Sequence, residues 1–446
     1  MLTFIANRFR KNWETLLVIF TVCLVYYGLK TYEGRGARRR ANIYSASVSK
    51  PQEKWVYDPS KTFPPEWYEV PRTPDPSCKP KKNLYFLRTH QTGTSSVTNI
   101  FYRYGQEHNL NFVMYPLKLH LNYPGKIGII YLEDVKPEGG YNILCQYMRH
   151  RRMDALRILE EGAIFTTLLR NPVDQFLSVF HNFDIKSQIR NLQVHQNPYE
   201  EFFRDPHKLA LMSSDVIFHL LQNSMSFDLG LSPPKYKNAT AIDEFIETID
   251  KEFHLVMILE LLDESLVLLR RLMCWDIKEI IHVKLSVNNK YGDSISEGIR
   301  EKILDWNSAD VKLYNYFYGK MKKIVDEQDE DFRKEVELFK GLISEFSRNC
   351  YSGKTVPVYN GNKIGHSLSE SHAENLTCKV LATDDITQTH IIALKQFKES
   401  LPPSDILMVR NHMQNLKRYN PAMLEWGDVQ KVLHPEEPTV EKSEEL

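Results

Sequence analysis

The strongest constraint on this chain's fold lies between Asn83 and Tyr104, NLYFLRTHQTGTSSVTNIFYRY, where an apolar run gives way to a Gly/Thr/Ser loop and then to helical periodicity. Leu84 to Leu87 reads as a buried strand. Val97, Ile100, Phe101 and Tyr104 recur at i, i+3, i+4 and i+7, which puts one apolar face on the following helix. The loop between them is therefore held from both sides. Backbone N–H groups of Thr92, Gly93, Thr94, Ser95 and Ser96 would point at an anion at the helix N-terminus, where free donors and the dipole favour negative charge, and Gly93 permits close approach. The loop lacks the GxxxxGK[ST] spacing of nucleotide triphosphatases. Small polar residues between strand and helix can equally form only a turn and an N-cap, so this unit alone leaves both readings open.

A second unit has the same layout. Ala163 to Leu169 (AIFTTLL) is strand-like, Arg170 sits at its end, and Asn171-Pro172 supplies an N-cap followed by proline at the first helical position. Val173, Phe176, Leu177 and Phe180 repeat at helical spacing, which places Ser178 about two turns into the helix. Arg170 and Ser178 can then face one anion together; taken singly, each is also an ordinary surface residue. Two strand-to-helix anion sites in one chain point to a nucleotide with two separate phosphate groups.

FLRTHQTGTSS together with TLLRNPVDQFLSVF resembles the paired signatures of Golgi carbohydrate sulfotransferases, and most closely those of the galactose 3-O-sulfotransferase family, of the galactosylceramide sulfotransferase type. YNILCQYMRH, FDLGL at Phe227 to Leu231, Phe253 to Asp276 and WNSADVKLYNYF at Trp306 to Phe317 agree with it in order. The resemblance implies an α/β fold, a P-loop-like central parallel sheet flanked by helices behind an N-terminal transmembrane helix. It implies a lumenal Golgi enzyme that moves the sulfuryl group of 3'-phosphoadenosine 5'-phosphosulfate to the 3-hydroxyl of a terminal galactose on a glycolipid or glycan. Thr92 to Ser96, with Arg88 beside them, would hold the 5'-phosphosulfate, and Arg170 and Ser178 the 3'-phosphate. No metal is implied.

The rest of the chain is divided accordingly. Residues 1–11 form a short tail and 12–30 a signal anchor built on the uncharged run Thr15 to Leu29. Fifteen helical residues span about 22 Å against a hydrocarbon core of about 30 Å, so Asn12, Trp13 and a snorkelling Lys30 must extend the span. A cleaved signal peptide has an apolar region of similar length, but no small-x-small cleavage site follows directly, which favours an uncleaved anchor. Basic residues on both sides leave orientation to the resemblance, which implies a type II protein with a lumenal domain. Residues 31–82, rich in Ser, Pro, Lys and Arg, read as a stem, 83–380 as the sulfotransferase domain, 381–434 as its C-terminal extension and 435–446 as a disordered acidic tail. Lys+Arg and Asp+Glu balance at 57 each, so no general nucleic-acid partner is indicated and any anion site must be local. The oligomeric state stays open between monomer and homodimer. Asn238 and Asn375 begin glycosylation sequons that matter only in a lumenal domain. Of six cysteines, Cys145 and Cys274 sit among apolar residues as buried thiols, and Cys350 with Cys378 makes a plausible disulfide. Leu255 to Leu259 reads as a further strand, Glu260 either faces the site or caps an element, Asp263 caps the next helix, Ile280 to Leu285 adds a strand, and Lys320 to Asn349 forms an amphipathic helix.

Two family positions that carry the chemistry are altered. Galactose 3-O-sulfotransferases usually read THKT where this chain has Thr89-His90-Gln91-Thr92, so Gln91 stands where a lysine would contact the bridging oxygen. They usually read CHHMRF where this chain has Cys145-Gln146-Tyr147-Met148-Arg149-His150, so the histidine expected to act as base is gone. Glutamine donates a hydrogen bond without charge, and tyrosine, ordinarily titrating at about 10, is a poor base at neutral pH. Arg88 or His90 could restore the positive charge, although Arg88 on its strand faces away from Gln91. His150 or Glu133 could act as base. The expected catalytic residues are therefore Gln91, His90 and His150. The alternative from another class is a non-catalytic family member that binds nucleotide or glycan. A phosphotransferase is disfavoured by the missing P-loop lysine spacing.

Overall fold

The computed structural model describes residues 77–419, apart from 212–214, 284–294, 359–362, 373–374 and 398–399, together with Val429. All lie within one compact unit, Pro64–Leu446. The expected anchor at 12–30, most of the stem and the acidic tail lie outside the described residues, among which no helix is long and apolar enough to cross a membrane.

Four parallel strands form the central sheet in the order β2-β1-β3-β4: β1 (Leu84–Leu87), β2 (Ile143–Leu144), β3 (Ile164–Leu169) and β4 (Leu255–Ile258). Every residue of these strands is buried, as expected for a parallel sheet covered on both faces. β1 pairs with β3 from Leu84 opposite Ile164 to Leu87 opposite Thr167, and Thr167 Oγ1 donates to the Leu87 carbonyl at 3.0 Å. The chain runs from β1 outward to β2, then crosses to the other side of β1 for β3 and β4. The carboxyl ends of β1 and β3 therefore flank a topological switch point, where the following loops diverge and leave a crevice.

Helix α1 (Thr94–Glu107) follows β1, and α2 (Pro172–Asn182) follows β3. The predicted apolar face of α1 is buried, Val97, Ile100 and Phe101 completely. Asn171 accepts from the Val173 N–H as the N-cap of α2, ahead of Pro172. Among the later helices are α3 (Ala239–Glu252), α4 (Leu262–Met273), α5 (Ser308–Asp326), α6 (Glu330–Cys350), α7 (Leu376–Ala382), α8 (Asp385–Gln396) and α9 (Pro403–Tyr419). An antiparallel hairpin, β5 (Tyr351–Val358) and β6 (Lys363–Leu368), extends from the end of α6.

The opposite, polar face of α1 is also covered. Ser95, Asn99, Tyr102 and Gln106, one helical stripe, bond respectively to Asp385, to the Val380 and Thr383 carbonyls, to Thr389 and to Gln388. The C-terminal helices thus close over the helix that starts at the Gly/Thr/Ser loop.

Several local expectations are corrected. Asp263 lies inside the first turn of α4 and is not its N-cap, which is Leu261. Of the strand expected at Ile280 to Leu285, the described part to Val283 forms none, and 284–285 lie outside the described residues: Ile277–Ile280 is a 3-10 turn, and the Arg103 guanidinium takes the Glu279 and Ile281 carbonyls. Lys320 to Asn349 is two helices, because Asp329 caps α6 by accepting from Phe332 N–H. Cys274 is no thiol; it pairs with Cys78, where Lys81 N–H bonds to the Met273 carbonyl and Trp275 Nε1 to the Lys81 carbonyl, pinning the approach to β1 against the end of α4. Cys350 pairs with Cys378 as expected, and Cys145 remains a buried thiol that burial pushes up to about 12.

Candidate active site at the paired strand-to-helix loops

The loop after β1 turns through two left-handed residues, Gln91 (φ 61°) and Gly93 (φ 82°). Gly93 is the N-cap of α1 and supplies no side-chain acceptor, so the first-turn N–H groups have no side-chain cap. A side chain at this φ would be strained, and its Cβ would sit 2.8 Å from Leu259 Cδ1. The threonine hydroxyls face inward: Thr92 Oγ1 lies 2.7 Å from Thr89 Oγ1, Thr94 Oγ1 donates to the Thr89 carbonyl, and Thr89 Oγ1 donates to the Leu168 carbonyl. What the loop offers an anion is therefore mainly backbone N–H, with Gly93 exposed and Ser96 half-buried.

Arg170 and Ser178 do converge, and they converge on Gln91. Arg170 donates to the Gln91 carbonyl at 3.1 Å, while Gln91 Oε1 accepts from Ser178 Oγ at 3.0 Å and from Asn182 Nδ2 at 2.6 Å. Asn182 also donates to Ser178 Oγ at 3.1 Å. Burial lowers the Arg170 pKa, against the opposing pull of Asp174 and Glu260. A partly desolvated guanidinium beside hydroxyl and amide donors suits a phosphate. Glu260 takes the capping role, accepting from the Asn171 N–H at 2.8 Å and from Tyr314 OH at 3.1 Å.

Arg88 has a different environment. Its side chain is fully buried and paired with Asp385, it donates to Tyr147 OH at 3.0 Å, and its guanidinium lies 3.9 Å above the Tyr147 ring. Ser95 Oγ, expected to face the donor, gives its proton to Asp385 at 3.0 Å. Burial disfavours the Arg88 cation, but Tyr147 and Asp385 more than offset this and hold its pKa above the ordinary value. That charge is already neutralised, so it does not replace the missing lysine at position 91.

Neither base expected from sequence is presented to the loop. His150 is buried with both nitrogens engaged, Nδ1 to Tyr85 OH at 2.8 Å and Nε2 to Glu252 Oε2 at 2.7 Å. Glu133 forms a two-pronged pair with Arg157, both half-exposed. His90 instead sits in the loop itself, with its backbone N–H and Nδ1 on Asp228 Oδ2 at 2.8 and 2.9 Å. Its ring stacks on Tyr147 (centroids 4.4 Å apart, 20° between planes) and contacts Tyr123 at 4.5 Å. Sequence reasoning missed Asp228, Asp385 and Asn182. Asn182 had a signal, since it stands one helical turn after Ser178; Asp228 and Asp385 reach the loop only through tertiary packing.

A family model described as galactose-3-O-sulfotransferase matches residues 16–364. Mouse galactosylceramide sulfotransferase is 32% identical over 244 residues, covering 54% of this chain and 57% of its own length. The bovine galactosylceramide sulfotransferase is 28% identical over 278 residues, covering 62% and 66%. Human galactose-3-O-sulfotransferase 2 is 32% identical over 253 residues, covering 53% and 60%. In each case the match spans less than two thirds of the relative. Asp385 lies beyond the residues that the family model covers.

Proposed function

This chain belongs to the galactose-3-O-sulfotransferase family, and from that premise we propose that it transfers the sulfuryl group of 3'-phosphoadenosine 5'-phosphosulfate to the 3-hydroxyl of a terminal galactose on a glycolipid or glycan. The observation that carries the reading is the meeting of the two strand-to-helix loops, where Arg170, Ser178 and Asn182 gather on Gln91 next to the uncapped start of α1. The residues fit a nucleotide with two phosphate groups. Backbone N–H groups of Thr92 to Ser96 would hold the 5'-phosphosulfate, and Arg170 with Ser178 the 3'-phosphate. The bound donor supplies an activated sulfuryl group; the protein orients the acceptor hydroxyl, takes its proton and stabilises charge on the leaving phosphate. Gln91 would do the last by amide hydrogen bonding.

A glycolipid acceptor is supported by the galactosylceramide sulfotransferases among the relatives. Placement as a type II protein of the Golgi membrane, anchored through residues 12–30, draws support from the disulfides Cys78–Cys274 and Cys350–Cys378, which suit an oxidising lumen. Asn238 and Asn375, both exposed, would carry glycans there. The regiochemistry is tested with matched β-galactosides and labelled donor: the intact sugar accepts sulfate and its 3-deoxy counterpart does not. Equal transfer to both would remove the 3-hydroxyl from the account.

A further inference from the structure

Gln146 and Tyr147 stand where the family pattern has its two histidines, and His150 and Glu133 are committed elsewhere, so the acceptor's proton needs another destination. We propose that His90, oriented by the buried carboxylate of Asp228, is the general base. The inference rests on the sulfotransferase reading and identifies a residue pair within that site.

Almost every feature of His90 except one nitrogen is fixed. Its N–H and Nδ1 are both bonded to Asp228 Oδ2, its carbonyl accepts from Gln175 Nε2 at 3.1 Å, and its ring is held by Tyr147 and Tyr123. A carboxylate on Nδ1 selects the tautomer with the proton there, which leaves the Nε2 lone pair free. Nε2 has no hydrogen-bond partner among the described residues, and the side chain keeps 11% of its surface exposed while Asp228 keeps none. The imidazole is thus buried at its anchoring edge and open at its basic one.

Asp228 is itself rigidly placed. It ends the short helix Ser224–Asp228, whose Met225 and Ser226 N–H groups donate to buried Asp310 at 3.1 and 2.7 Å. Its carbonyl accepts from His150 N–H at 2.7 Å. Holding a base in one tautomer and orientation is what a second carboxylate does for a catalytic imidazole. The groups facing His90 are Asp228, Tyr147, Tyr123 and, through charge, His120, with Arg88 behind Tyr147.

In the step, the acceptor hydroxyl's proton passes to His90 Nε2 as the hydroxyl oxygen bonds to sulfur. The bond between sulfur and the donor's 5'-phosphate oxygen breaks, and its electron pair leaves on that phosphate. Asp228 stabilises the imidazolium formed and keeps its own charge.

The test measures transfer, 3',5'-ADP binding, and histidine 15N NMR for wild type, His90→Ala and Asp228→Asn. His90→Ala should lose at least about 100-fold in transfer rate, retain 3',5'-ADP affinity within a few-fold, and regain activity with added imidazole. In wild type, the His90 resonance, assigned by its absence from His90→Ala, should report a proton on Nδ1. Asp228→Asn, with the orienting charge removed, should lower kcat while leaving 3',5'-ADP affinity within a few-fold of wild type. His90→Ala within a few-fold of wild type, an unchanged kcat in a nucleotide-binding Asp228→Asn, or the opposite tautomer would overturn the proposal while leaving the sulfotransferase reading in place. Wild type that binds 3',5'-ADP yet transfers to no galactoside would overturn both.

Discussion

Replacing Arg170 with alanine probes the nucleotide site where its geometry is most explicit. The guanidinium is half-buried at the end of β3, already partly desolvated, and only one of its contacts, to the Gln91 carbonyl, is made with the loop. A charge-assisted hydrogen bond to phosphate is worth about 1.5–3 kcal/mol, and the lost brace on Gln91 adds about 1 kcal/mol. At about 1.4 kcal/mol per tenfold, the sum corresponds to a loss of about 60- to 700-fold in affinity for 3',5'-ADP. Ser178→Ala removes one neutral hydrogen bond, about 1 kcal/mol, and should weaken binding only about fivefold. Arg170→Lys keeps the charge but loses the planar fork and should fall between the two. Titration calorimetry reads all three, with thermal melting to show that each variant is folded. An Arg170→Ala protein that melts normally and binds 3',5'-ADP within twofold of wild type would refute the placement of the 3'-phosphate.

Two further outcomes follow from the neighbouring networks. Asp385→Ala strands the buried Arg88 cation and should cost about 3–5 kcal/mol of stability, read by denaturant unfolding, whereas adding Arg88→Met should recover most of it because a buried pair is replaceable by apolar volume. Gln91→Lys, which would restore the residue implied by the family pattern, should lower the transfer rate. Lysine carries no acceptor for the Ser178 and Asn182 donors and sets a second cation beside Arg170, so a rate increase would show that the glutamine network has no catalytic part.

The parts of the fold written in local pattern were legible: β1, β3 and β4 as apolar runs, α1 and α2 from their spacing, and the Asn171-Pro172 start of α2. The meeting of Arg170 with Ser178 was legible too, because helical geometry fixes their spacing. Contacts that depend on distant chain segments were not. Asp385 reaches Ser95 across a separation of 290 residues, and His90 finds Asp228 across 138. His150 looked available because its sequence neighbours do not reveal that Tyr85 and Glu252 occupy both its nitrogens. Ile280 to Val283, the described part of a segment with strand composition, gives its Ile281 carbonyl to Arg103 instead. Cys274, apolar in its local context, pairs with Cys78 because tertiary contacts pin the Cys78 segment to the end of α4.

The most direct measurement is sulfate transfer itself: labelled 3'-phosphoadenosine 5'-phosphosulfate with the purified chain and galactosylceramide, lactosylceramide and soluble β-galactosides, each assayed beside 3',5'-ADP binding. The account predicts label on at least one galactose-terminated acceptor from protein that also binds 3',5'-ADP. Protein that binds the nucleotide and labels none of them would contradict it.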